Sequence, residues 1–279
     1  MKVTSVRRSS LAAALLAALA VPVRAQSPDA PLLTITIHAG WITGGSLWHL
    51  PAQIASAGPD SSDIVALGRL FRPGFVAGVS ASLFRSPHLG YTAAIDFLGI
   101  STESRCTGPA HWVFYGDNIN QQACESIQGG SVRTSAVALE GGLTWRPIAT
   151  GRVQPYLQAL GGIAYLAGSF VETAATVYNP SADTSQSMFV TRMFLGDPNH
   201  RSLTWVTTLS GGFTLEMSPG TQLRFAARDV ITDVPVATGP GNPLVLDVPA
   251  QMGSKVVHLF SFTVGLDIVL EQSRRPHRY

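Results

Sequence analysis

Four groups of residues carry side chains that could do chemistry. His200-Arg201-Ser202 sets an imidazole two positions from a hydroxyl. On an extended strand that spacing puts both on one face. Cys106 and Cys124 are the 2 cysteines of the chain. They lack the Cys-x-x-Cys spacing of a redox pair, so a structural disulfide is expected. His38 and His258 are single histidines within apolar stretches, and Asp96, Glu140, Arg146, Glu216, Arg224, Arg228, Lys255 and Asp267 supply charges of both signs. No His/Cys/carboxylate spacing suggests a zinc site, and no glycine-rich phosphate loop precedes a helix, so neither metal nor cofactor is expected.

The elements that must position these groups repeat with a period of two. In Lys255–Leu270 one phase reads Val256, His258, Phe260, Phe262, Val264, Leu266, Ile268, Leu270, and the other contains Ser261, Thr263, Gly265 and Asp267. Such alternation is a strand with one apolar and one polar face. Seven further segments alternate in the same way: 33–43, 73–84, 88–101, 132–146, 152–170, 203–217 and 221–231. His38, Asp96, Glu140, Arg146, Glu216, Arg224 and Arg228 fall on the polar phase, with Lys255 and Asp267, whereas His258 falls on the apolar one. Seven of the eight strands also place a glycine on the polar phase just before an apolar residue, as in Gly40-Trp41, Gly162-Ile163 and Gly212-Phe213. A narrow interior with room for only some large side chains would explain them.

Connections decide the topology. Short ones (Arg85–Pro87, Pro147–Gly151, Ser218–Gly220) alternate strictly with long ones (44–72, 102–131, 171–202, 232–254), beginning with a long one. Short turns on one side and long loops on the other suit a transmembrane barrel, apolar toward lipid and polar within. The expected fold is therefore an all-β, eight-stranded antiparallel transmembrane up-and-down β-barrel with four long extracellular loops. The last strand must pair with the first so that no edge is left in lipid. Charged residues are 13% and apolar residues 46% of the 279-residue chain, and the net charge of +2 argues against a nucleic-acid partner. On the apolar phase, Trp41, Tyr165, Trp205 and Phe260 fall near the long-loop ends, and Tyr91 and Trp145 near the short-turn ends. Two aromatic girdles at the headgroup levels are expected from them. The strands exceed the length a membrane requires and should project beyond its outer leaflet.

Lys2, Arg7 and Arg8, the apolar run 11–21 and Val23-Arg24-Ala25 read as a cleaved signal peptide over 1–25. A lead at 26–32, the barrel at 33–270 and a tail at 271–279 with Arg274-Arg275 would follow, the barrel standing in the bacterial outer membrane. The exported chain would then form its disulfide outside the cytosol, closing a loop that holds Trp112, Phe114 and Tyr115.

In architecture the chain resembles the small outer-membrane barrels of the OmpA/OmpX type. The resemblance extends to the last strand, where Thr263, Gly265, Ile268 and Leu270 follow the polar-x-Gly-x-x-apolar-x-apolar signal read by the assembly machinery. Here leucine takes the usual aromatic place and Glu271–Tyr279 follows. The resemblance implies outer-membrane lipids, that machinery and an extracellular partner at the loops as contacts. Some barrels of this size deacylate lipid A with a His-x-Ser pair on the lipid face. His200 and Ser202 would share the inward phase instead, so no catalytic residue is assigned.

An eight-stranded interior is just wide enough to be filled by side chains, and charges there must pair. Glu140 and Glu216 are expected to pair with Arg224 or Arg228. The leading functional expectation is a structural, adhesive or surface-contact protein with a plugged interior. A narrow transport barrel for small or hydrophobic solutes is the alternative, and a lipid-modifying enzyme comes third.

Overall fold

The computed structural model describes residues 33–58, 61–109, 111, 118–178, 189–197, 202–239 and 251–270. The segments read as leader, lead and tail, the aromatic residues Trp112, Phe114 and Tyr115, and His200-Arg201 lie outside the described residues. Strands β1 (Leu33–Gly44), β2 (Ser46–Gly58), β3 (Ser61–Phe84) and β4 (Leu89–Thr107) are followed by helix α1 (Ile119–Ile127). Then come β5 (Ser131–Trp145), β6 (Val153–Ala167), β7 (Thr173–Tyr178), β8 (Phe189–Leu195), β9 (Leu203–Ser218), β10 (Thr221–Gly239) and β11 (Gln251–Leu270).

Eight of these strands form a closed antiparallel ring in the order β1-β3-β4-β5-β6-β9-β10-β11. It closes where β11 pairs with β1, from Leu33↔Leu270 to Gly44↔Leu259. The stagger of the ring can be read from its register. A row that starts at Thr34 passes through Ser82, Thr92, Gly142, Leu160, Thr208 and Val230 to Leu259, which pairs with Gly44. The row thus returns to β1 ten residues above its start. Eight strands with that stagger make a narrow, strongly tilted barrel.

Alternation of exposure follows the alternation of sequence. In β4 it runs without a break from Leu89 to Thr107. The outward residues Ile37, Val79, Ile95, Leu139, Ile163, Leu209, Phe213, Val264 and Leu266 are all exposed, so the wall carries an apolar belt suited to hydrocarbon rather than water. Trp41, Tyr165, Trp205 and Phe260 stand on this outer face toward the loop end, and Tyr91 and Trp145 toward the turn end.

Two expectations need correction. The segments read as long loops hold further strand: β2 and the start of β3 fill most of 44–72, β4 runs to Thr107, β7 and β8 lie within 171–202, and β10 and β11 extend to Gly239 and from Gln251. Beyond the belt the inward face changes from polar to apolar, with Val65, Leu67, Phe71, Val234 and Val236 buried. The phase that carried the polar residues thus turns apolar, and the period is hidden. The glycines are also explained differently. A Cβ on Gly40, Gly142, Gly162 or Gly212 would collide with a backbone carbonyl of the neighbouring strand, of Phe262, Ala159, Leu139 and Phe225 respectively. Close strand approach, rather than lumen volume, requires glycine there. Gly78 does serve the lumen, because a Cβ would strike the Asp96 carboxylate.

Candidate functional site

The inward faces of the ring build three stacked layers. Nearest the short turns, Arg224 of β10 and Asp267 of β11 face each other across one strand pair. Arg224 Nε donates to Oδ1 and Oδ2 of Asp267 at 2.9 and 3.1 Å, and Nη2 donates to Oδ2 at 2.8 Å. Thr36 Oγ1 donates to Asp267 Oδ1 at 2.8 Å. The Arg224 guanidinium also lies 4.4 Å from the Tyr156 ring centroid. Arg146 stacks over Phe84 at 3.8 Å, so a cation–π contact rather than a carboxylate holds this buried cation. Hydroxyls of Ser82, Thr92 and Thr144 form a chain at 2.8 and 2.6 Å, and Gln158 Nε2 continues it to Thr144 at 3.0 Å.

The second layer lies at mid-wall. Asp96 Oδ1 lies 2.8 Å from His38 Nε2, and its Oδ2 pairs with Arg228. Arg228 Nη1, which can only donate, lies 2.9 Å from the same His38 Nε2, so one ring nitrogen faces both the carboxylate and the guanidinium. Glu140 lies 3.9 Å from Arg228, on the same guanidinium nitrogen that serves Asp96. Between these two polar layers remains a space of about 20 Å³, lined by His38, Tyr156, Gln158, Ser210, Arg224 and Arg228 among others. A void of that size holds about one water molecule. Among the described residues, side chains fill the lumen between these two layers.

Above the charges the third layer is apolar. Ile42, Val76, Leu98, Val206, Val230 and Leu259 close the interior and merge with the core of a cap at the loop end. The cap is built from the β2–β3 hairpin, α1 and the β7–β8 hairpin. The chain leaves the ring at Gly45, whose carbonyl accepts from Phe71 N–H at 3.1 Å, and β2 then buries Leu47, Trp48 and Leu50 over the mouth. Trp48 Nε1 donates to Phe170 O at 2.9 Å, and Phe170 meets Phe71 edge-on at 6.2 Å.

Arg69 is the keystone of the cap. It is 1% exposed and stacks 5.7 Å from Trp48. Its Nη2 reaches Ser104 Oγ, Glu172 O and Thr173 Oγ1 at 3.1, 2.6 and 3.2 Å. Three chain segments thus meet on one guanidinium. Burial pulls its pKa down to about 10 against the opposing pull of Glu172, so it stays charged at neutral pH. The Cys106–Cys124 disulfide ties the end of β4 to α1 across a Cα–Cα distance of 5.2 Å. Asn118 caps α1, accepting from the backbone N–H of Asn120 and Gln121. Asn120 Nδ2 in turn donates to Asp63 at 2.8 Å and to Ala55 O at 3.3 Å, pinning the helix to the β2–β3 hairpin.

Of the charges assigned to a lumen network, Asp96, Glu140, Arg146, Arg224, Arg228 and Asp267 are buried inside the ring. Glu216 is not: its position on β9 is below the turn-end mouth, and it is exposed. Lys255 is exposed at the loop end, its Nζ donating to Ser46 O and Leu47 O at 2.9 and 3.1 Å. Glu140 does meet Arg228, one of its two expected partners, at 3.9 Å, but Arg228 also takes Asp96, and Arg224 takes Asp267 rather than a glutamate. His38, read as isolated, belongs to the mid-wall cluster. Tyr156 and Arg69 had no assigned role. Tyr156 carried a signal, an aromatic on the polar phase of its strand, whereas Arg69 lay in a stretch read as loop. Of the assembly-signal positions, Thr263 is buried inward, Gly265 packs on His38, and Ile268 and Leu270 are exposed outward.

No family model matches the chain, and no curated protein matches it. Among solved structures it is similar to the outer membrane protein OprG from Pseudomonas aeruginosa, at 9% identity and a TM-score of 0.46 over 88% of this chain and 99% of that one. It is similar to Neisserial surface protein A at 10% identity and a TM-score of 0.41, over 85% of this chain and 97% of that one. It is similar to the outer membrane protein AlkL at 11% identity and a TM-score of 0.41, over 91% of this chain and 96% of that one. Likenesses this distant carry no argument about function. By its own register and exposure pattern, the chain is an eight-stranded antiparallel up-and-down β-barrel with an apolar outer wall, the architecture of the small outer-membrane barrels.

Proposed function

We propose that this is an exported outer-membrane barrel with a structural and surface-contact role, not a conduit. Its long-loop end would face outward and present the folded cap to partners. The observation that carries this reading is the sealed interior: two charged layers around a space of about 20 Å³, then an apolar layer, then the cap. A solute would have to break the Arg224–Asp267 and Arg228–Asp96 pairs and unpack Trp48, Phe71 and Phe170. The outer wall supports residence in a lipid bilayer, and the aromatic residues at both ends are suited to its two headgroup levels. Thr263, Gly265, Ile268 and Leu270 lie on the strand that closes the ring, where an assembly signal would act at the last pairing step.

Planar-bilayer recording tests the reading. The purified barrel should give no resolvable conductance steps. Reproducible steps from a homogeneous preparation would instead favour a narrow transport path for small or hydrophobic solutes.

A further inference from the structure

On the outer wall one carboxylate interrupts the apolar belt. Asp229 of β10 faces outward, with Phe260 of β11 and Leu209 of β9 directly opposite it on either side. Among the described residues, the outward face between the two aromatic levels carries no other Asp, Glu, Lys or Arg. Asp229 is in register with Phe260 of the loop-end aromatic level, and at that edge of the hydrocarbon an ionised group still gains from a partner. Part of that partner is His258 of β11, whose Nδ1 lies 2.9 Å from Asp229 Oδ2. The carboxylate accepts, so Nδ1 carries the proton. The imidazole lies beside the Phe260 ring at a centroid distance of 6.4 Å and an interplanar angle of 20°.

This arrangement satisfies only half of the carboxylate. The other oxygen, Oδ1, is out of contact with solvent and has no hydrogen-bond partner. Yet the pair is not shut away, since the His258 and Asp229 side chains are 53% and 25% exposed. Asp229 also lines a shallow outer groove of about 650 Å³ that runs toward the turn end. Gly211, Ala227 and Ala159 leave the wall low there, while Leu157, Leu209 and Phe260 stand beside it. An apolar channel ending at an unsatisfied acceptor has the chemistry of an amphiphile site, with a chain in the groove and a donor at its head.

We propose that Asp229, His258 and this groove bind a membrane lipid that carries a primary amine. An ammonium supplies the donor that Oδ1 lacks and the charge that the carboxylate requires. A hydroxyl would supply only the donor, a quaternary ammonium has no N–H to give, and a phosphate would be repelled. His258 engages Oδ2, and a turn about the soft carboxylate χ2 of this part-exposed side chain brings Oδ1 out of the wall to meet the ammonium. The inference rests on the outer wall and is independent of the sealed lumen.

Native mass spectrometry of the folded barrel in detergent micelles reads this directly. The probes are phosphatidylethanolamine, phosphatidylcholine and phosphatidylglycerol with identical acyl chains at equal concentration. One charge-assisted hydrogen bond corresponds to retention of the ethanolamine lipid about tenfold above the choline lipid. In Asp229→Leu that ratio should fall to within about twofold, a loss of the same bond, while heat-modifiable gel migration stays that of the folded barrel. Asp229→Asn, which keeps the shape and removes the charge, should fall between the two. Equal retention of the ethanolamine and choline lipids by the wild type would overturn the proposal. So would an undiminished preference in Asp229→Leu.

Discussion

Removing one member of the Arg224–Asp267 pair is the most informative perturbation of the lumen. Arg224 gives Asp267 three contacts at 2.8–3.1 Å, and both side chains are buried. Arg224→Met would leave a fully buried carboxylate with the Thr36 hydroxyl as its one remaining donor among the hydrogen bonds described. Breaking a buried pair in this way costs about 3–5 kcal/mol, most of it the burden of the charge left behind. Replacing both partners, as in Arg224→Met with Asp267→Leu, removes that burden and should recover most of the loss. Urea unfolding of the barrel folded in phospholipid vesicles, followed by tryptophan fluorescence, measures all three variants. A single substitution that costs less than about 1 kcal/mol would refute the assigned pairing. A double variant no more stable than the single one would refute it equally.

Three further outcomes follow from the cap and the wall. Serine at both Cys106 and Cys124 opens a loop of 18 residues' separation. It should lower cap stability by about 3 kcal/mol in the chain-entropy model, read as faster proteolytic nicking of the cap while the ring stays protease-resistant. Arg69→Leu should likewise loosen the contacts to Ser104, Glu172 and Thr173, raising hydrogen exchange at the β7–β8 hairpin and leaving exchange at the turn end unchanged. Gly162→Ala drives a methyl group into the Leu139 carbonyl, whereas Gly161→Ala, with nothing within 4 Å, enters open space. The first should be destabilised by more than about 2 kcal/mol in the urea assay and the second by less than about 0.5 kcal/mol.

Facing direction was legible in the sequence, and partnership was not. His38, Asp96 and Arg228 each sat on the polar phase, but their meeting spans sequence separations of 58, 132 and 190 residues. Only the ten-residue stagger of the ring decides that Arg228, rather than Arg224, lands beside Asp96. Height along the barrel was equally hidden. Glu216 has the right phase but lies below the mouth, where water solvates it and no cation is required. The cap escaped because a packed interior of Leu47, Leu67 and Val236 inverts the polar-inward rule that revealed the membrane strands. Asp229 was legible in phase alone, as an outward carboxylate. Its partner and the groove beside it needed the register of three neighbouring strands.

The central claim is that the wall between the two aromatic levels faces hydrocarbon while the cap faces water. Nuclear Overhauser contacts from the barrel folded in lipid bilayer discs measure both surfaces at once. Side chains of Ile37, Val79, Ile95 and Leu139, all exposed on the wall, should show cross-peaks to lipid acyl methylenes. Ile64, exposed on the cap, should show cross-peaks to water alone. Water contacts at Ile37, Val79, Ile95 and Leu139, with acyl contacts absent, would contradict the account.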